Sequence, residues 1–123
     1  MTLKNCVSLV CSALAASFLL APTYSGAQSF PSRPIKIVVP NAAGGAADIT
    51  ARTVGQKLSE ALGQPVVIEN RPSAGGIIAG EQVAKSEPDG HTILLVSSGT
   101  AVSASLFKSL PFDTAKDFAP VSK

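Results

Sequence analysis

From Ile35 onward the apolar positions alternate between continuous β-branched runs and the three-to-four-residue spacing of helices. Ile35-Lys36-Ile37-Val38-Val39 reads as a buried strand, and Pro40 ends it because proline lacks the amide that a sheet ladder needs. Val54, Leu58 and Leu62 follow at i, i+4 and i+8, with Ala51 and Ala61 beside them. They predict an amphipathic helix whose polar face carries Arg52, Gln56, Lys57 and Glu60, and which Gly63 stops. The theme then repeats. Residues 65–69 (Pro-Val-Val-Ile-Glu) predict a second strand, residues 77–85 a second helix ended by Glu87-Pro88-Asp89-Gly90, and residues 92–96 a third strand. The class is α/β, in β-α-β-α-β order.

Candidate chemistry falls in the loops after the strands. Gly44-Gly45 let the backbone turn and approach a bound group closely, and Asp48 stands where the first helix begins. Unpaired N–H groups at a helix start, at the positive end of its dipole, suit an anion such as a carboxylate. After the third strand, Ser97-Ser98-Gly99-Thr100 supplies hydroxyls and a glycine. In open α/β sheets ligands bind outside the carboxyl ends of the strands, so both loops belong to one expected site. Each motif alone is also ordinary turn or cap chemistry.

Residues 1–27 have a different character. Lys4 gives a positive start, residues 7–21 are apolar apart from small serines and Cys11, and Ser25-Gly26-Ala27 is a small-residue cleavage pattern before Gln28. The alternative is a membrane helix, but the run is shorter than the roughly 20 residues a bilayer needs and Pro22 follows it. An export signal is therefore expected. Cys11 follows Val10 and Cys6 comes too early, so neither fits a lipid-anchor site.

Both cysteines fall inside that segment, leaving the 96 residues of 28–123 with no disulfide and no cysteine metal site. Removing Lys4 leaves nine basic against eight acidic residues, with no basic run and no interleaved aromatics, which argues against a nucleic-acid partner. His91 is the single histidine and precedes the third strand; without paired acids or cysteines it is read as a residue leading into that strand. Ser97 and Ser98 have no histidine partner and no G-x-S-x-G elbow, so hydrolysis is not expected. Arg71 either pairs with a carboxylate ligand or braces its turn through carbonyl oxygens.

The chain resembles the N-terminal part of the tripartite tricarboxylate transporter substrate-binding proteins, the Bug family of extracytoplasmic receptors. The resemblance runs over residues 30–122: FPSRPIKIVVP, GG followed by Asp48, ITARTVGQKLSEALGQPVVIENRP, AGG, VAKSEPDGHTILL, SSGT and LPFDTAKDFAPVS. It implies a periplasmic-binding-protein-like, two-lobe fold (type II), a small carboxylate held between lobes, separate membrane permease subunits, and neither catalysis nor cofactor nor metal. The ligand-binding residues it implies are Asn41, Ala43, Gly44, Gly45 and Asp48 on the first loop and Ser97, Ser98, Gly99 and Thr100 on the other. Asp48 would cap its helix or orient water and ligand.

Several positions depart from the family pattern. Asn41-Ala42-Ala43 replaces an aromatic residue and proline, Ala46-Ala47 lacks a hydroxyl, and Ser73 and Ile77 replace glycine and asparagine, so the second loop is assigned no role. The family is about three times longer than residues 28–123, in line with two domains of ordinary size. The expectation is thus a periplasmic receptor reduced to an incomplete first lobe, through a truncated or disrupted reading frame. Two other classes are a secreted module contacting a sensor, and a nucleotide-binding enzyme. The second lacks both G-x-G-x-x-G and G-x-x-x-x-G-K-[ST].

Overall fold

A computed structural model describes residues 29–122, so the expected export segment and both cysteines lie outside the described residues. Three parallel strands, β1 (Ile35–Val39), β2 (Val66–Asn70) and β3 (Thr92–Leu94), form a sheet in the order β2-β1-β3. Ile37 lies opposite Ile68 on one side and Ile93 on the other. β1 is the central strand, and Ile35, Val38 and Val39 are fully buried. The chain leaves β1 through helix α1 (Ala46–Leu62) and returns in β2. It then crosses over β1 through a single 3₁₀ turn (Ala74–Gly76) and helix α2 (Ile77–Ala84) to reach β3.

β2 and β3 flank β1 on opposite sides, so two right-handed crossovers put α1 and α2 on opposite faces of the sheet. Side-chain alternation agrees. Ile37, Val39, Val66, Ile68 and Ile93 pack with Ala47, Ala51 and Leu58 of α1. On the other face, Glu69 accepts hydrogen bonds from Lys36 Nζ of β1 (2.8 Å) and from Gln82 Nε2 of α2 (3.2 Å). Lys36, then Arg71 and Gln82, outweigh the effect of burial and hold the Glu69 carboxyl at about 2, below its ordinary value.

The apolar stripe expected on α1 is only partly the buried one. Val54 is 49% exposed and Leu62 38%, whereas Ala47, Ala51, Gly55 and Leu58 face the sheet. Small residues at i, i+4 and i+8 let the helix approach β2 so closely that a methyl at Gly55 would lie 3.1 Å from Val66 and 3.2 Å from Ile68. Larger apolar side chains do not fit there and point outward. Gly63 closes α1 in the left-handed region (φ 68°), its N–H donating to Ser59 O, as its position predicts.

β2 begins one residue later than expected and ends at Asn70, and β3 is shorter by two residues, although Leu95 N–H still donates to Val38 O at 3.0 Å. Ser98–Leu106 forms a further helix, α3, so that Ser98-Gly99-Thr100 of the expected loop are its first turn; Ser97 takes the extended backbone of an N-cap and starts it. α3 packs against the 3₁₀ turn and α2. Beyond it the chain runs back so that Phe112, 7% exposed, covers Gly80 of α2 and meets Phe118 edge to face at 5.5 Å between centroids.

A methyl at Gly80 would lie 2.5 Å from the Phe112 ring. Alanine usually favours a helix over glycine by about 1 kcal/mol, but overpacking of this kind costs about 1–3 kcal/mol. Gly80→Ala is expected to lower the urea unfolding midpoint with little change in slope; a raised midpoint would show that Phe112 does not seat on α2.

Candidate functional site

The carboxyl ends of the three strands open into three loops on one sheet edge. Loop 40–45 follows β1, loop 71–76 follows β2, and residues 95–97 follow β3. Because α1 leaves β1 toward one face while α3 packs with α2 on the other, the chain parts between β1 and β3, where such sheets take ligands.

Residues 41–45 are exposed, and Gly44 adopts φ 84°. Asp48 is not the cap of α1. The helix begins at Ala46, so Asp48 is its third residue, and the carboxylate Oδ2 reaches back to accept the Gly44 N–H at 2.8 Å. An acidic third helical residue that reaches back to an amide at the helix start is half of a capping box, here shifted one residue toward the N-terminus. Arg52, one turn along, donates Nε–H to the same oxygen at 3.0 Å. Asp48 is 3% exposed; the Arg52 bond first, then the Gly44 amide, bring its carboxyl from an ordinary 3.8 to about 2. Its other oxygen, Oδ1, is buried without a protein partner.

At the far end of the loop, Asn70 Nδ2 donates to Asn41 O at 3.1 Å, and Asn70 Oδ1 accepts from Arg52 Nη2 at 3.4 Å. Gly45, at the cap position of α1, supplies no side chain, and Ser97 makes no cap bond to α3. The Ser97 hydroxyl instead faces Thr100 Oγ1 at 3.3 Å. Ser98, Gly99 and Thr100 form the first turn of α3, with Ser98 and Gly99 exposed and Thr100 buried. Two helix starts without side-chain caps therefore follow adjacent strands, and their positive ends suit an anion.

The second loop, assigned no role from sequence, fills the space between the other two. Gly75 and Gly76 both have positive φ (64° and 70°). A methyl at Gly76 would lie 2.9 Å from Pro40 Cβ and 2.7 Å from Thr100 Oγ1, and one at Gly75 would lie 2.8 Å from Ser103 Cβ. The paired glycines were the available signal. Arg52 and Asn70 were also missed, although the spacing Asp48-x-x-x-Arg52 is that of an i, i+4 helix pair. Arg71 braces its turn through the Glu69 carboxylate, with Nε at 2.7 Å, and not through carbonyls.

His91 leads into β3 at the opposite edge of the sheet, with Nε2 accepting the Ser32 N–H at 3.2 Å and the ring edge to face with Phe30. It is therefore remote from Ser97 and Ser98. Among the described residues no group of three or more His, Cys, Asp or Glu is placed to hold a metal, and no helix is long and apolar enough to cross a membrane.

The domain described as tripartite tricarboxylate transporter family receptor matches residues 50–123. The chain belongs to this family. Bug and tricarboxylate-receptor proteins are solute-binding receptors rather than enzymes. The chain is 43% identical over 111 residues to protein BugT of Bordetella pertussis, covering 89% of itself and 33% of that protein. Among solved structures, MatC of Rhodopseudomonas palustris with bound malate matches with TM-score 0.70 and 43% identity, over 75% of this chain and 32% of that one. Rpa4515 of the same organism, with adipate, matches with TM-score 0.70 and 39% identity, over 75% of this chain and 31% of that one. These tricarboxylate-receptor relatives are periplasmic binding proteins in fold, and the present chain forms a partial α/β lobe of that fold, about a third of the relatives' length.

Because the Asp48 carboxyl is lower in the folded than in the unfolded chain, its contribution to stability is fully present above about pH 4 and is lost as pH falls toward 2. The difference in urea midpoint between the unaltered chain and Asp48→Asn should be steady from pH 7 to 5 and shrink steadily below 4. A difference independent of pH would mean that Asp48 is not held ionised by Arg52 and Gly44.

Proposed function

We propose that this chain supplies the first carboxylate grip of a periplasmic solute receptor that serves a tripartite tricarboxylate-type transporter. One observation carries the reading: the starts of α1 and α3, neither with a side-chain cap, follow adjacent strands on a single sheet edge. The amides of Ala46 and Ala47 and those of Ser98, Gly99 and Thr100 are the donors for a carboxylate, with Gly45 beside them, its N–H already in a long 3.4 Å bond to Ala42 O. Gly44 acts differently, because its N–H is engaged by Asp48. Asn41 and Ala43, both exposed, border the same edge, and the Ser97 hydroxyl completes it. Malate in MatC and adipate in Rpa4515 support a small carboxylate as the ligand class.

In this reading residues 1–27 are an export signal and residues 28–123 are part of the N-terminal lobe, with separate permease subunits as membrane partners. Groups that select the rest of the solute belong to a second lobe, so the grip described here recognises a carboxylate and not a particular acid.

Thermal unfolding of the whole chain with citrate, malate and adipate, and with nucleotides as controls, tests the proposal. Any ligand that binds only the folded state stabilises it, by about 2.7 kcal/mol at a hundred times its dissociation constant. A midpoint raised by a carboxylate and not by nucleotides is the expected result. Indifference to every carboxylate would overturn the receptor reading, and stabilisation by nucleotides would replace it with the enzyme one.

A further inference from the structure

Loop 40–45 has little of its own to hold it. Residues 41–45 are exposed, and its single internal bond, Gly45 N–H to Ala42 O, is long at 3.4 Å. Its shape is instead tied from outside at both ends. Asp48 Oδ2 holds the Gly44 amide, and Asn70 Nδ2 holds the Asn41 carbonyl. Arg52 joins the two ties, with Nε on Asp48 at 3.0 Å and Nη2 on Asn70 at 3.4 Å. The path Gly44-Asp48-Arg52-Asn70-Asn41 thus closes a ring of hydrogen bonds around the loop, drawn from α1 and the end of β2.

Two details separate this ring from an ordinary surface ion pair. Asp48 is buried with both of its contacts on Oδ2 and Oδ1 left unpartnered, so its place is set by the Gly44 amide and Arg52 and not by filling its own hydrogen-bonding capacity. Only the forked guanidinium reaches both ties, because a lysine ammonium at this position is a point charge without that geometry.

We propose that Arg52 and Asn70 are positioning residues that set affinity for a carboxylate by fixing loop 40–45 without touching the ligand. This rests on the receptor reading above for its affinity part alone. A loop already in its binding shape loses less conformational freedom when ligand arrives, so loosening the ring weakens binding even where every contacting amide is kept.

The test compares the whole unaltered chain with Arg52→Met, Arg52→Lys and Asn70→Ala. Arg52→Met keeps the aliphatic stem and removes the fork, Arg52→Lys keeps a charge for Asp48, and Asn70→Ala removes the donor to Asn41 and the acceptor for Arg52 without adding a charge. Amide hydrogen exchange is followed at Gly44 and in β1, and binding of malate, citrate and adipate by calorimetry. Arg52→Met and Asn70→Ala should each speed exchange at Gly44 about tenfold while β1 is unchanged, and weaken carboxylate binding about tenfold. Arg52→Lys should fall between Arg52→Met and the unaltered chain.

Unchanged loop exchange in Arg52→Met and Asn70→Ala would overturn the ring. Faster exchange with undiminished affinity would overturn its link to binding, leaving a merely structural role. If the unaltered chain binds none of the three acids, the receptor reading and the affinity part both fail, and exchange still decides whether the ring holds the loop.

Discussion

Parallel pairing of β1 on both of its edges is the constraint from which the remaining geometry follows. A parallel neighbour cannot be reached by a hairpin, so each connection needs a crossover, and the hand of crossovers is fixed. With β2 on one side and β3 on the other, the helices must divide between the two faces. The chain therefore parts at the carboxyl edge between β1 and β3, at loop 40–45 and the start of α3, with the turn at Gly76 set between them. The candidate edge is in this sense a consequence of strand order, and the side chains around it refine a place that topology has already made.

Refinement takes two forms. On the α1 face, small residues bring the helix close to the sheet, which fixes where its first turn stands relative to the strand ends. At the edge itself, charge acts at one remove. Asp48 is ionised and buried, yet it commits one oxygen to a backbone amide and to Arg52, so its negative charge is locally balanced and does not oppose an approaching carboxylate as a free anion would.

Much of this was legible in the sequence, for identifiable reasons. The strands were visible because a buried parallel strand is a continuous β-branched run, and Pro40 and Gly63 mark boundaries by chemistry that tertiary contacts do not override. The buried face of α1 was misread because hydropathy weights Val54 and Leu62 above Ala51 and Gly55, whereas close packing selects for small volume. α3 was missed because Ser, Gly and Thr at its start look like loop, and its helical state depends on packing against α2 and the 3₁₀ turn. The glycines and hydroxyls of the two candidate loops stand out by residue type, but the contacts of Arg52, Asn70 and Gly76 depend on distances between segments far apart in the chain.

Gly76 has a consequence for which parts of this edge can tolerate added bulk. Surface loops ordinarily absorb insertions at small cost and so drift freely. The turn at Gly76 is wedged between Pro40 and Thr100 without room for a methyl, so lengthening or bulking it would push the first and third loops apart together. Room for larger side chains is thereby left at positions that stand in the open, such as Asn41, Ala43 and Ser98. The middle loop works as a keystone for the two loops beside it.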